Sequence, residues 1–184
     1  MSQQARLTLV SHGFTDAMSA GLFGVDEPLN SLGVRQITEL GSSRPDLALR
    51  ADLALRGPEL RCRQSAELAG LAAQTEPALA DLDPGTWRGR ALDDLAPADL
   101  AAWLTDPDAA PHGGESLTEL IARVGGWLET LGPGRTVAVT HPAVIRAAVV
   151  NALGAPATAF WRIDVRPAGV TQLHRRPAGW TLRL

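Results

Sequence analysis

Two histidines in this chain close strand-like segments in the same way. Leu7-Thr8-Leu9-Val10 is an apolar and β-branched run that meets Ser11-His12-Gly13, and Thr136-Val137-Ala138-Val139-Thr140 meets His141. Such residues favour extended backbone, and ligands of open α/β sheets bind beyond the carboxyl ends of the strands. Imidazole changes charge near neutral pH, so a histidine there suits acid, base or nucleophilic work. Two strand ends that converge in one crevice would make an enzyme site. Ser11 is not read as a serine-hydrolase nucleophile: no Gly-x-Ser-x-Gly elbow surrounds it, and neighbouring strand residues point to opposite faces. The histidines at 12, 112, 141 and 174 lack the close spacing of a zinc site, so neither metal nor other cofactor is expected. His112 and His174 read as surface residues.

Converging strand ends require a sheet with helical crossovers, and the pattern between the histidines supplies them. Phe14 to Asn30 reads as a loop, and Ser31 to about Leu40 as a helix. A short strand covers Asp52–Leu55, and a helix runs from Glu59 to Ala73. Asp81 to Gly89 is turn-rich, and Asp93–Leu104 reads as helical. Ser116 with Glu119 forms a capping box for a helix whose apolar face carries Leu117, Leu120, Val124 and Leu128. A last helix starts at Pro142, a position where proline is tolerated, and stops at Gly154. Phe160–Val165, Val170–Leu173 and Trp180–Leu182 read as closing antiparallel strands. Strands alternating with helices predict a three-layer α/β/α sandwich with a mostly parallel central sheet.

The 184 residues fit one domain, and a 45% hydrophobic content suffices for a core. All seventeen basic residues are arginine, and the net charge of −3 offers no footprint for nucleic acid. Cys62 is the only cysteine, so no disulfide framework or thiolate cluster is expected. No apolar run approaches the ~18 residues of a membrane span, and Met1 to Val10 lacks a signal-peptide core. These features point to a cytoplasmic protein without a membrane partner and leave the oligomeric state open.

Six segments, in order, resemble the histidine phosphatase superfamily, in its phosphoglycerate mutase-like branch. They are Ser11-His12-Gly13-Phe14-Thr15, Pro28-Leu29-Asn30-Ser31-Leu32-Gly33, Gly57-Pro58-Glu59-Leu60-Arg61-Cys62-Arg63-Gln64-Ser65-Ala66, Asp81-Leu82-Asp83-Pro84-Gly85-Thr86-Trp87-Arg88-Gly89, Gly114-Glu115-Ser116 and Val139-Thr140-His141. The resemblance implies that fold over 1–184, with a small cap around 84–113 shaping the pocket. It implies His12 as nucleophile, Arg61 and His141 as cations for the transferring phosphoryl group, and Asp81 as proton donor. Ser11, Thr15, Asn30, Arg61 and Glu115 fall where the family contacts its substrate, Glu115 reaching the histidines or the ligand.

Five departures accompany the match. Ser11 stands for the family's first phosphate arginine, Met18 for an asparagine, Asp81 for a glutamate, Asn30 for a threonine, and Gly57 for a serine. Loss of a main oxyanion donor costs ~10²–10³ in rate, so the expectation is a weak or specialised phosphomonoester hydrolase on a small phosphorylated metabolite. Two alternatives stay open: a non-hydrolytic member that binds an anionic ligand or a protein, and an enzyme repurposed for other acid–base chemistry in the same pocket.

Overall fold

The computed structural model describes residues 4–184. Six strands form one sheet in the order β3-β2-β4-β1-β5-β6: β1 (Ala5–Ser11), β2 (Leu53–Arg56), β3 (Gln74–Thr75), β4 (Gly134–Thr140), β5 (Val170–Arg176) and β6 (Gly179–Arg183). The first four run parallel, while β5 and β6 are antiparallel. The helices are α1 (Asp16–Ala20), α2 (Ser31–Ser43), α3 (Asp46–Leu49), α4 (Leu60–Leu68), α5 (Pro97–Thr105), α6 (Leu117–Thr130) and α7 (Pro142–Leu153).

Alternation along β1 and β4 divides the core into two layers. Leu7, Leu9 and Ala138 face α6 and α7, against Leu120, Val124, Leu128, Ile145 and Ala148. Val10, Val137 and Val139 face α2, α3 and α4, against Ile37, Leu47 and Ala66. A third cluster of Trp87, Leu95 and Trp103, with Phe23 and Trp161 against it, sits beside the cleft described below. The three-layer sandwich read from the sequence is the observed architecture.

Local chemistry sets several element boundaries that the periodicity misplaces. Phe160–Val165 is not a strand: Ala157–Arg162 forms a 3-10 helix behind Pro156, and Phe160 is fully buried. The stretch read as a loop after β1 contains α1, because the Thr15 hydroxyl accepts the Met18 N–H at 3.3 Å and Gly21 closes the helix in the left-handed region. Helix α4 stops at Leu68, two residues before Gly70 at φ +75°. Helix α5 begins only at Pro97, with Leu92–Asp94 a separate 3-10 turn. The capping box of α6 forms as expected, the Ser116 hydroxyl accepting Glu119 N–H and the Glu119 carboxylate accepting Ser116 N–H.

One pair of glycines fixes the loop that leaves β1. A Cβ on Gly33 would lie 2.1 Å from Phe14 O, and one on Gly13 would lie 2.6 Å from Gly33 O. The two backbones touch there, so α2 is clamped against the segment that carries His12.

Candidate active site

Register brings the two histidines together. Strands β1 and β4 are adjacent and parallel, with Ser11 opposite Thr140, so the next residue of each is His12 and His141. The His12 N–H donates to Thr140 O at 3.0 Å, and the ring centroids lie 5.1 Å apart in an edge-on arrangement. Both are buried. The His12 Nδ1 lies 2.7 Å from Gly13 O. A carbonyl only accepts, so Nδ1 carries the proton and the Nε2 lone pair of a neutral ring is left available.

Helix α4 delivers the next groups. Its first turn places Arg61, which is buried and donates to Val25 O at 2.9 Å and to Asp81 Oδ2 at 2.6 Å. Glu59, the residue before the helix, carries a carboxylate that was not among the site residues expected from the sequence. Its Oε2 is 2.7 Å from His141 Nε2, and its Oε1 accepts the Asp81 N–H at 2.9 Å. One side chain thus ties the second histidine to the acid loop. The Cys62 Sγ lies 3.3 Å from the same nitrogen, while Asp81 Oδ2 is 3.4 Å from Nδ1 on the other side of the ring.

Gly57 makes room for this brace. A Cβ there would sit 3.0 Å from Glu59 Oε2, 3.1 Å from His141 Nε2 and 2.9 Å from Leu79 O. The glycine at 57 and the acid at 59 therefore go together: the space that a side chain at 57 would fill is taken by the carboxylate of 59. That coupling was the signal available in the sequence, but it needs the fold to be read.

The charges hold each other in place. Burial lowers the His12 pKa to about 3, helped by the charges of His141 and Arg61. Burial also opposes charge on His141, but Asp81, Cys62 and Glu59 override it and raise its pKa to about 10. Glu59 is itself buried enough to resist ionisation, yet its bond to His141 brings it down to about 2. Burial pushes the Asp81 carboxyl up, and His141 and Arg61 more than reverse that. The outcome is a neutral His12 beside two cations, Arg61 and His141, each facing a carboxylate.

The remaining expected site residues divide. Thr15 lines the cleft as well as capping α1. The Asn30 side chain caps α2 by accepting Gly33 N–H at 3.0 Å and donates to Asp16; it does not border the cleft. Ser11 is fully buried, its hydroxyl has no partner among the described residues, and it too lies outside the cleft wall. Glu115 does not reach the histidines. Its carboxylate pairs with Arg123 at 2.7 Å through both oxygens, and Arg123 donates to Ala78 O and Ala80 O just before Asp81. A bidentate pair is a strong, directional contact, and here it braces the acid loop. His112, read as a surface residue, is buried with its ring edge-on to Trp87.

His12, Arg61 and Asp81 open onto a cleft of about 220 Å³, while His141, also expected in the site, is fully buried behind His12 and does not border it. Its walls are mainly apolar and aromatic, with Met18, Leu22, Phe23, Trp103, Phe160 and Trp161 prominent, and Arg146 projects into it from α7. The Arg146 guanidinium lies 5.8 Å from the Phe160 ring and 5.9 Å from the Trp161 ring. Among the described residues no helix is long and apolar enough to cross a membrane.

Comparison with known proteins gives a consistent answer. The glucosyl-3-phosphoglycerate phosphatase of Mycobacterium tuberculosis is 32% identical over 127 residues, which are 64% of this chain and 56% of the relative. The chain thus spans only about half the length of that relative. The adenosylcobalamin/α-ribazole phosphatase of Salmonella typhi is 30% identical over 178 residues, covering 87% of this chain and 85% of that enzyme. Phosphoserine phosphatase from Entamoeba histolytica superposes with a TM-score of 0.85 over 97% of this chain and 94% of its own, at 19% identity, and so shares the fold. Residues 7–184 match the histidine phosphatase superfamily, branch 1, and with two histidines, an arginine and an acid gathered at the strand ends, the chain belongs to that superfamily.

Proposed function

We propose that the protein is a phosphomonoester hydrolase acting on a small phosphorylated metabolite of the cytoplasm through a phosphohistidine intermediate. The observation that carries this reading is the His12 ring. It is neutral, held by Gly13 O so that Nε2 keeps its lone pair, and stands beside His141, Arg61 and Asp81. The names of the relatives support the same class, since both curated relatives are phosphatases of small phosphorylated metabolites.

His12 Nε2 attacks phosphorus and the ester P–O bond breaks. Arg61 holds the charge on the phosphoryl oxygens, and the charged His141 ring, packed against His12 behind the cleft wall, adds its positive field. The substrate phosphate takes Arg61 from Asp81; without its guanidinium partner, the half-buried carboxyl rises in pKa and is protonated. Asp81 then gives that proton to the leaving oxygen. In the second half Asp81 removes a proton from water, the water oxygen attacks phosphorus, and the P–N bond breaks to return neutral His12 and free phosphate.

Beyond these groups the cleft wall adds one arginine, Arg146, which lies against the Phe160 and Trp161 rings. Arg61 and His141 already face Asp81 and Glu59, and Ser11 and Met18 add no charge. Binding energy must then come from the organic part of the substrate, which meets Phe23, Trp103 and Trp161. An apolar or flat leaving group is the one these walls accept, and residues 84–113 act as the cap that supplies Trp103.

Steady-state hydrolysis of p-nitrophenyl phosphate by wild type, His12→Ala and Ser11→Arg tests the reading. Turnover lost in His12→Ala and raised in Ser11→Arg supports a hydrolase limited by its missing cation. Inert wild type that Ser11→Arg activates would favour the second reading, a member that binds without hydrolysing, which the pairing of Arg61 with Asp81 and of His141 with Glu59 makes the specific competitor.

A further inference from the structure

At the opposite end of β1 from His12 the sheet carries a second polar trough. Its floor is Thr8 and Val137 of the sheet, Asp46 and Leu47 of α3 border it, and arginines 6, 50, 135 and 183 rise around it with Gln172 and His174. Register explains the grouping. Arg135, Arg6 and His174 are direct neighbours across β4, β1 and β5, and Val137, Thr8, Gln172 and Arg183 form the next row on the same face. The face stays uncovered because α3 above it is only four residues long. Its volume is about 260 Å³.

None of these arginines is in a direct ion pair among the described residues. Among the described residues the arginine ion pairs belong to Arg44, Arg61, Arg63, Arg88, Arg123 and Arg175. Two acids are close by: Asp46, in the trough wall, pairs with Arg44 at 2.9 Å, and Asp52, beside Arg6 and Arg135, accepts the backbone N–H of Arg135 at 2.8 Å, so two carboxylates stand against four arginines. Burial lowers the His174 pKa, and Arg183, Arg6 and Arg176 lower it further, as expected in a positive field. Like charges directly opposite in a sheet repel, and Arg6 faces Arg135 across a strand pair in a chain whose net charge is −3.

We propose that this trough binds a small polyphosphate-bearing ligand, at a site separate from the catalytic cleft. From β4 to β6 the arginines span three strand spacings, about 14 Å at ~4.8 Å each, more than one phosphate bridges. A ligand with two or three linked phosphoryl groups reaches both rows, and Thr8 and Gln172 add uncharged hydrogen-bonding groups between them. Arg6 precedes His12 by six residues of extended chain, about 20 Å at ~3.3 Å per residue, so the two sites are distinct.

Isothermal titration with inorganic tripolyphosphate, at fixed ionic strength, tests this in the full chain. Wild type should bind one tripolyphosphate, Arg61→Gln should bind it equally, and the Arg6→Gln/Arg135→Gln double variant should bind it at least ~10-fold more weakly. A parallel titration with a nucleoside triphosphate assigns the source: tighter binding than tripolyphosphate indicates a nucleotide, and equal binding a free polyphosphate. The double variant should hydrolyse p-nitrophenyl phosphate as wild type does and melt no lower, since it removes a repulsive pair. Arg50→Gln/Arg183→Gln, on other elements, should weaken binding similarly if the first pair does not fold. Absence of binding in wild type, loss of binding in Arg61→Gln alone, or binding confined to a long oligonucleotide would overturn the proposal.

Discussion

Glu59→Gln removes one charge from the site while keeping the size of the side chain and an oxygen for the Asp81 N–H. The bond at stake is 2.7 Å long, between a carboxylate that is 18% exposed and a fully buried imidazole. A hydrogen bond to a charged group contributes about 1.5–3 kcal/mol, and one pKa unit corresponds to ~1.4 kcal/mol. The His141 pKa should therefore drop from about 10 to roughly 8–9, still above its ordinary value because Asp81 remains. Because the folded-state pKa of His141 is raised, its charge stabilises the fold fully below about pH 6.5 and stops doing so as pH climbs through 10. Glu59 runs the other way: its depressed pKa stabilises above about pH 4.5, and that is lost as pH falls toward 2. The deficit of the variant should be full between about pH 5 and 8, close by about pH 10 and shrink again in acid. At neutral pH it should amount to roughly 3–12 °C in Tm for a chain of this size. Histidine ring NMR titration and thermal melts across pH read both quantities. An unchanged His141 titration, or a deficit that is flat from pH 3 to 10, would refute the brace.

Other outcomes follow from the same geometry. His12 stays neutral down to about pH 3, so protonation of the nucleophile should not produce an activity decline near pH 6.5; kcat/KM measured from pH 4 to 8 checks this. Gly57→Ser should destabilise wild type by about 1–3 kcal/mol, because the new Cβ meets Glu59 and Leu79 O; in a Glu59→Leu background the cost should shrink, a coupling that denaturant unfolding of the four proteins measures. Arg123→Ala should leave the Glu115 carboxylate and the carbonyls of Ala78 and Ala80 without their donor, costing about 2–4 kcal/mol and lowering kcat through Asp81. Trp161→Ala should raise KM for 1-naphthyl phosphate several-fold while changing glycerol phosphate little.

Periodicity in the sequence was enough for the layers and for the strands that end on His12 and His141, because alternation and β-branching report local burial. The zero-offset pairing of β1 with β4 lies beyond local pattern; it joins segments far apart in the chain. Phe160–Val165 reads as a strand because its aromatic and β-branched residues have high β propensity, and only tertiary packing of Phe160 overrules it, in a 3-10 helix over Ala157–Arg162. Motif matching drew Arg61 and Asp81 into the site, where the structure has them paired. It failed for Glu115, whose acidity serves Arg123, and it overlooked Glu59, which occupies space that a glycine vacates at 57. Departures from a motif are informative in pairs, and pairing them requires distances.

The most direct test of the account is whether phosphate becomes attached to His12. Rapid mixing of the protein with a phosphomonoester, followed by alkaline quench and intact-mass and peptide analysis, should show one phosphoryl group per chain on His12, absent from His12→Ala. Turnover without any such adduct, or an adduct that persists in His12→Ala, would contradict the assignment of His12 as the nucleophile.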